Sequence, residues 1–184
     1  MSLCAAFSPL SEMRKRVTLE RMDELIAQIR AASMAGLYYL ALVGTLLLPD
    51  ICGALDSDDG RASGTKYRRW IEQNVPQQAE NASLIYGLRC SLLHEGRAMP
   101  HGGAFRIAFM APTAGIQLHK IVTAVDDDEI GWLSIPDFVE EIASGAEQWL
   151  ARVGNTNRVQ TNLAKFVRFR PEGLLPHVAG PVIA

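Results

Sequence analysis

With 184 residues, 48% of them hydrophobic, and a formal charge of −2, the chain can bury one sizeable core and does not require a second domain. This slightly acidic balance excludes a protein that coats nucleic acid or an anionic membrane over its whole surface, so any such contact has to be a local patch. The three cysteines, Cys4, Cys52 and Cys90, follow no CxxC spacing, which argues against a disulfide framework or a zinc knuckle and makes a reducing cytoplasm the expected location.

The opening stretch MSLCAAFSPLSEMRKRV places its basic cluster, Arg14 to Arg16, after a weakly apolar run, the reverse of a signal peptide. From Thr18, Leu19, Met22, Leu25, Ile26 and Ile29 recur at helical spacing with Glu20, Arg21, Asp23, Glu24 and Gln28 on the other face, so an amphipathic first helix is expected. Ser33 is placed to cap a second helix through Tyr38, Leu42 and Leu46, which Pro49 would bend or end near residues 51 to 55. The apolar run Met34 to Leu48 falls short of the roughly 20 residues a bilayer requires. A buried central helix, packed on the first as a hairpin and making no membrane contact, is expected instead.

Residues 56 to 65, DSDDGRASGT, have loop chemistry. A short helix near Lys66 to Asn74 and a longer one from about Gln78 to Glu95, stopped by Gly96, should follow. Phe105, Ile107 and Phe109 then alternate with Arg106 and Ala108, and a Pro112 to Gly115 turn leading into Ile116 to Val125 predicts a β-hairpin. A third strand, Ile130 to Ile135, is expected after the acidic turn Asp126 to Asp128. Pro136 opens a helix carrying Phe138, Ile142, Ala146, Trp149 and Leu150 on its apolar face. A last helix is expected over Val159 to Val167, and the tail with Pro171, Pro176 and Pro181 should be irregular. The expected fold is one mainly α domain over 1–184: a helical bundle with a small antiparallel β-hairpin or three-stranded insert at 103–135 and an irregular tail at 171–184.

The residues richest in chemistry lie in LIYGLRCSLLHEG. At about 100° per residue, Leu84, Ile85, Leu88 and Leu92 share one arc, while Tyr86, Arg89, Cys90, Leu93 and His94 fall on the opposite side. Arg89 and His94 flank Cys90 and Leu93, and a long guanidinium can lean toward the imidazole. Gly87, beside His94 on the wheel, leaves room for another backbone or a substrate.

This segment resembles the HEPN superfamily, whose signature is an arginine followed four to six residues later by a histidine near the end of a helix. Arg89-Cys90-Ser91-Leu92-Leu93-His94 has that spacing, and the likeness extends loosely over Thr18 to Gly96. The resemblance implies a helical bundle that dimerises so that two motifs share one cleft. In many members this is a metal-independent endoribonuclease from a toxin, phage-defence or stress system. Arg89 would stabilise charge on the phosphoryl oxygens and His94 would transfer protons. Cys90 departs from the pattern, because active members usually carry Asn, Asp or His after the arginine, and a thiol is a weak hydrogen-bond former.

Elsewhere, Asp56 to Gly60 does not make a calcium loop, since Gly stands at the fifth position and Tyr67 at the twelfth. His94, Glu95 and His101 do not make HExxH, and no P-loop or dinucleotide fingerprint occurs. The span 152–170 holds Arg152, Arg158, Lys165, Arg168 and Arg170 with no acidic residue, a candidate phosphate-contacting patch. Lys66, Arg68 and Arg69 with Tyr67 and Trp70 could likewise stack on and neutralise a single strand. Either cluster can also be an ordinary solvated helix face, the reading favoured for Lys66 to Arg69.

Two functional readings stay open. One is a homodimeric, cofactor-free ribonuclease or RNA-binding domain, regulated by an antitoxin or other partner, with Arg89 and His94 catalytic and Tyr86, Cys90, Arg158, Lys165, Arg168 and Arg170 binding. The other is a non-catalytic interaction module that dimerises through Tyr86, Cys90 and Leu93.

Overall fold

Helix α2, Tyr38–Leu55, carries the longest apolar run of the chain, and that composition places it at the centre. The computed structural model describes residues 9–101, 105–112, 115–126, 128–167 and 169–184, with side chains described from Met22 onward apart from Val125 and Asp128. Around α2 stand α1 (Pro9–Met34), α3 (Gly64–Asn74), α4 (Ala82–Glu95), α5 (Ile135–Val153) and α6 (Asn157–Leu163), all five in contact with it. By length and composition α2 could cross a bilayer, but more than half of it is buried among its neighbours. Pro49 lies inside the helix, which continues past it for six residues. The first helix begins well before Thr18, and Ser33 is part of it rather than a cap. The chain reverses at Gly36, whose φ of 75° suits a residue without a Cβ.

A continuous core joins Met22, Ile26 and Ile29 of α1, Leu42 and Leu46 of α2, Tyr67 and Ile71 of α3, Ile85 and Leu88 of α4, Phe138, Ile142 and Trp149 of α5, and Val159 and Leu163 of α6. Each full side-chain burial of this kind stabilises by about 1.5–3 kcal/mol. Arg30 clamps α1 to α5 by reaching both Glu140 (2.8 Å) and Glu147, two turns apart on one face. Ser63 caps α3 by accepting the Lys66 N–H at 3.3 Å. The expected single helix from Gln78 to Glu95 is divided: a 3₁₀ turn occupies Pro76–Asn81 and α4 follows it.

The insert is a three-stranded sheet, but its topology corrects the expected hairpin. Strands β1 (Arg106–Met110) and β2 (Ile121–Val125) do not pair; both pair with β3 (Asp128–Ser134), which is central. β1 runs parallel to β3 and β2 antiparallel. The reason is turn length. The connection from β1 to β2 is too long for a tight hairpin, whereas Val125 and Asp128 pair across two residues, with Asp126 at φ 54° as such a turn requires. Asp127 lies outside the described residues. Ile107 and Leu133 face the core, and Phe109 meets Phe138 at 6.3 Å between ring centres.

The tail is also more regular than expected. β4 (Phe169–Arg170) pairs with β7 (Val182–Ile183), and β5 (Gly173–Leu174) with β6 (Val178–Ala179), as two short antiparallel ladders. Helix α6 is shorter than expected, ending at Leu163.

Candidate functional site

Helix α4 sets the site, and its C-terminal cap fixes the last turn. Gly96 takes a left-handed φ of 67°, its N–H bonds the Leu92 carbonyl at 3.1 Å, and the Arg97 N–H bonds that of Ser91 at 3.1 Å, as a Schellman end does. Ile85 and Leu88 are buried as expected, and Gly87 and Ser91 are buried too. The space at Gly87 is taken by the protein's own backbone: the His101 N–H reaches the Gly87 carbonyl, and a Cβ on Gly87 would lie 2.8 Å from the His101 oxygen.

Arg89 does not point away from the core. Its Nε donates to Oδ2 of Asp50 at 2.7 Å, tying α4 to α2, with the two side chains 20% and 11% exposed. Burial pushes the Asp50 carboxyl up from its ordinary 3.8, and the Arg89 charge only partly offsets it. Burial works against the Arg89 charge as well, but there the attraction and hydrogen bond of Asp50 prevail and hold the guanidinium charged. The two shifts differ because the carboxylate, the more enclosed partner, loses more hydration.

The other end of Arg89 meets the predicted histidine: Nη1 lies 2.9 Å from Nε2 of His94. A guanidinium has no acceptor, so in this contact Nε2 accepts and the imidazole proton sits on Nδ1. Arg89 and His94 therefore meet although they are five residues apart, with His94 itself on the surface. Asp50, which holds Arg89, escaped the sequence reading. Its signal is present all the same: it is the one ionisable side chain in an otherwise apolar helix apart from its tyrosines and cysteine, and a buried carboxylate calls for a cation.

Tyr86 and Cys90 lie one turn apart on the same face, both partly buried. The Cys90 thiol, by hydrogen bonding, and burial raise the Tyr86 phenol above its usual range. The Tyr86 ring stands 5.3 Å from the Tyr67 ring, and the Arg68 guanidinium lies over it at 5.3 Å. The ring also crosses the start of α3, where a Cβ on Gly64 would lie 2.6 Å from it. Tyr67 and Trp70 are buried, so neither provides the stacking surface that their place beside Arg68 suggested.

The described C-terminal basic residues, Arg152, Arg158, Lys165 and Arg170, meet partners elsewhere. Arg158 pairs with Asp56 (3.0 Å) and Asp58 (3.3 Å), and Arg152 bonds the Asn74 side chain. Lys165 is exposed beside Asn162 and Phe166, and the Arg170 Nε reaches the Ala184 carbonyl at 3.4 Å. Arg168 lies outside the described residues. Among the described residues, no group of three His, Cys, Asp or Glu is arranged to hold a metal ion.

A polar cavity of about 600 Å³ lies between the β2 approach and α5. Glu141 sits in its wall. Burial alone would raise this carboxyl, but hydrogen bonds from Lys120 (2.5 Å), Gln78 (2.6 Å) and His119 hold it below the usual range. Its carboxylate, like those of Asp137 and Glu140, is satisfied by the chain's own donors.

The chain matches no family model, no curated protein and no solved structure.

Proposed function

We propose that the Asp50, Arg89 and His94 cluster is the centre of an HEPN-like, metal-independent endoribonuclease, acting as a homodimer in the cytoplasm. The observation that carries this reading is the 2.9 Å approach of Arg89 to His94, which places a permanent cation beside a residue able to move protons near neutral pH. In the reaction, the ribose 2′-oxygen attacks the adjacent phosphorus, the P–O5′ bond breaks with its electron pair passing to the 5′-oxygen, which gains a proton from water, and a 2′,3′-cyclic phosphate results. His94 Nε2 would take the 2′-hydroxyl proton once substrate draws the Arg89 donor onto a phosphoryl oxygen. Arg89 has five N–H donors; Asp50 takes one and His94 another, which leaves further donors for the growing phosphoryl charge. Asp50 touches no substrate here and is a positioning residue for the guanidinium.

A second reading has its own support. Arg89 is satisfied within one chain by Asp50 and His94, as a purely structural arginine would be. Cys90 next to it is a poor hydrogen-bonding partner for RNA. In that case the Tyr86, Cys90 and Leu93 face serves a protein contact, with an antitoxin-like regulator or a second copy as partner.

The deciding experiment incubates wild type, His94→Ala and Arg89→Ala with mixed RNA in EDTA and looks for fragments ending in 2′,3′-cyclic phosphate. Cleavage by wild type, reduced about 10²- to 10⁴-fold in His94→Ala, is the expected result. Equal cleavage by wild type and His94→Ala, or none by either, would remove the catalytic reading and leave the interaction module.

A further inference from the structure

Arg68 differs from Arg30, Arg89, Arg152, Arg158 and Arg170 in resting on an aromatic ring. Arg30, Arg89 and Arg158 each face a carboxylate, Arg152 an amide and Arg170 a carbonyl. Among the described residues no carboxylate lies within ion-pair distance of Arg68; its guanidinium rests instead on the face of Tyr86. Tyr86 is in turn fixed from two sides: its ring meets Tyr67 and passes closely over Gly64. The ring thus holds a cation that no carboxylate among the described residues compensates, with little freedom left to lose on binding, on the face of α4 that presents Arg89 and His94.

We infer that Arg68, carried on Tyr86, binds a phosphate of a single-stranded RNA at the Arg89 and His94 site, next along the strand from the phosphate that Arg89 meets. This rests on the ribonuclease reading above and names a strand-positioning cation for that site. Tyr86 stands three residues before Arg89 and eight before His94 on α4, about 4.5 and 12 Å along the helix at 1.5 Å per residue, so a strand lying along this face meets the Tyr86 end and the His94 end at different points of its backbone. A single strand fits better than a duplex, because a stacked cation, the partly buried Arg89 and the exposed His94 follow a flexible backbone without reading a groove. Arg68 acts on binding and register, not on bond cleavage, and is a positioning residue.

The test uses full-length His94→Ala, which separates binding from cleavage, and a fluorescein-labelled mixed-sequence RNA 20-mer in EDTA across a salt series. Compared with it are His94→Ala/Arg68→Ala and His94→Ala/Arg68→Lys. Loss of one phosphate contact should weaken binding severalfold at low salt and reduce the slope of log affinity against log salt by about 0.7. The lysine variant should restore the slope more than the affinity, since the charge returns without the planar stack. A variant that merely misfolds would lower the thermal midpoint, so unchanged melting of the lysine variant accompanies the expected result. If His94→Ala binds the 20-mer and Arg68→Ala alters neither affinity nor slope, the inference fails while the ribonuclease reading stands. If His94→Ala does not bind the 20-mer at all, the ribonuclease reading fails and takes the inference with it.

Discussion

Asp50 and Arg89, on different helices and 39 positions apart, form a 2.7 Å ion pair whose arginine also touches His94. The pair is mostly enclosed, so removing one partner strands the other in a poor solvent. Arg89→Ala should destabilise the fold by about 2–4 kcal/mol, toward the range known for broken buried pairs. Asp50→Asn should cost less, because a long guanidinium can swing toward water whereas a carboxylate in mid-helix cannot. Urea unfolding of both variants checks the order; equal losses would mean that Asp50 has an escape route too.

The same pair makes a pH prediction. The folded-state pKa of Asp50 lies above its ordinary 3.8, so the native state holds this proton more tightly than the unfolded chain. Its contribution to stability is therefore complete below the ordinary carboxyl range and falls as pH rises through the raised folded value. Arg89→Ala removes the charge that partly offsets burial, which moves that fall to higher pH and deepens it. Stability measured from pH 4 to 8 should show the difference between variant and wild type growing with pH; a constant difference would contradict the assignment.

Two glycines should respond differently to the same substitution. A Cβ on Gly145 would stand 2.8 Å from the backbone oxygen of Asn74 and 2.8 Å from Val75, where α5 meets the end of α3. Gly145→Ala should thus lose about 1–2 kcal/mol even though alanine favours a helix by about 1 kcal/mol, since overpacking costs about 1–3. Gly96 has open space around it and only its φ of 67° to satisfy. Asparagine, which tolerates that conformation, should be nearly neutral at Gly96 and worse than alanine at Gly145. Thermal melts of the three variants would show whether the two constraints are distinct.

Much of the fold was open to reading along the chain. Helical periodicity marked the amphipathic stripes of α1 and α5, the long apolar run marked α2 as central, and Gly96 marked the end of α4, because each is a local consequence of spacing or backbone freedom. The Arg89 and His94 approach was legible as well, since both residues lie on one helix. What the sequence did not show depended on partners far along the chain. Asp50 looked like the end of an apolar run until α2 and α4 packed and brought it to Arg89. Arg158 looked available until Asp56 and Asp58 closed on it, and Arg68 looked like part of a solvated face until Tyr86 arrived beneath it. The exchange of β2 for β3 as the central strand has the same origin. Alternation records that a segment is extended and half buried, while pairing is decided by turn lengths and by the surface of α5 on which the sheet closes. By itself the sequence determined the helices, the apolar faces and the Arg89 to His94 spacing; only tertiary packing decided which charges are compensated, because neutralisation of a side chain depends on distance in space and not on distance along the chain.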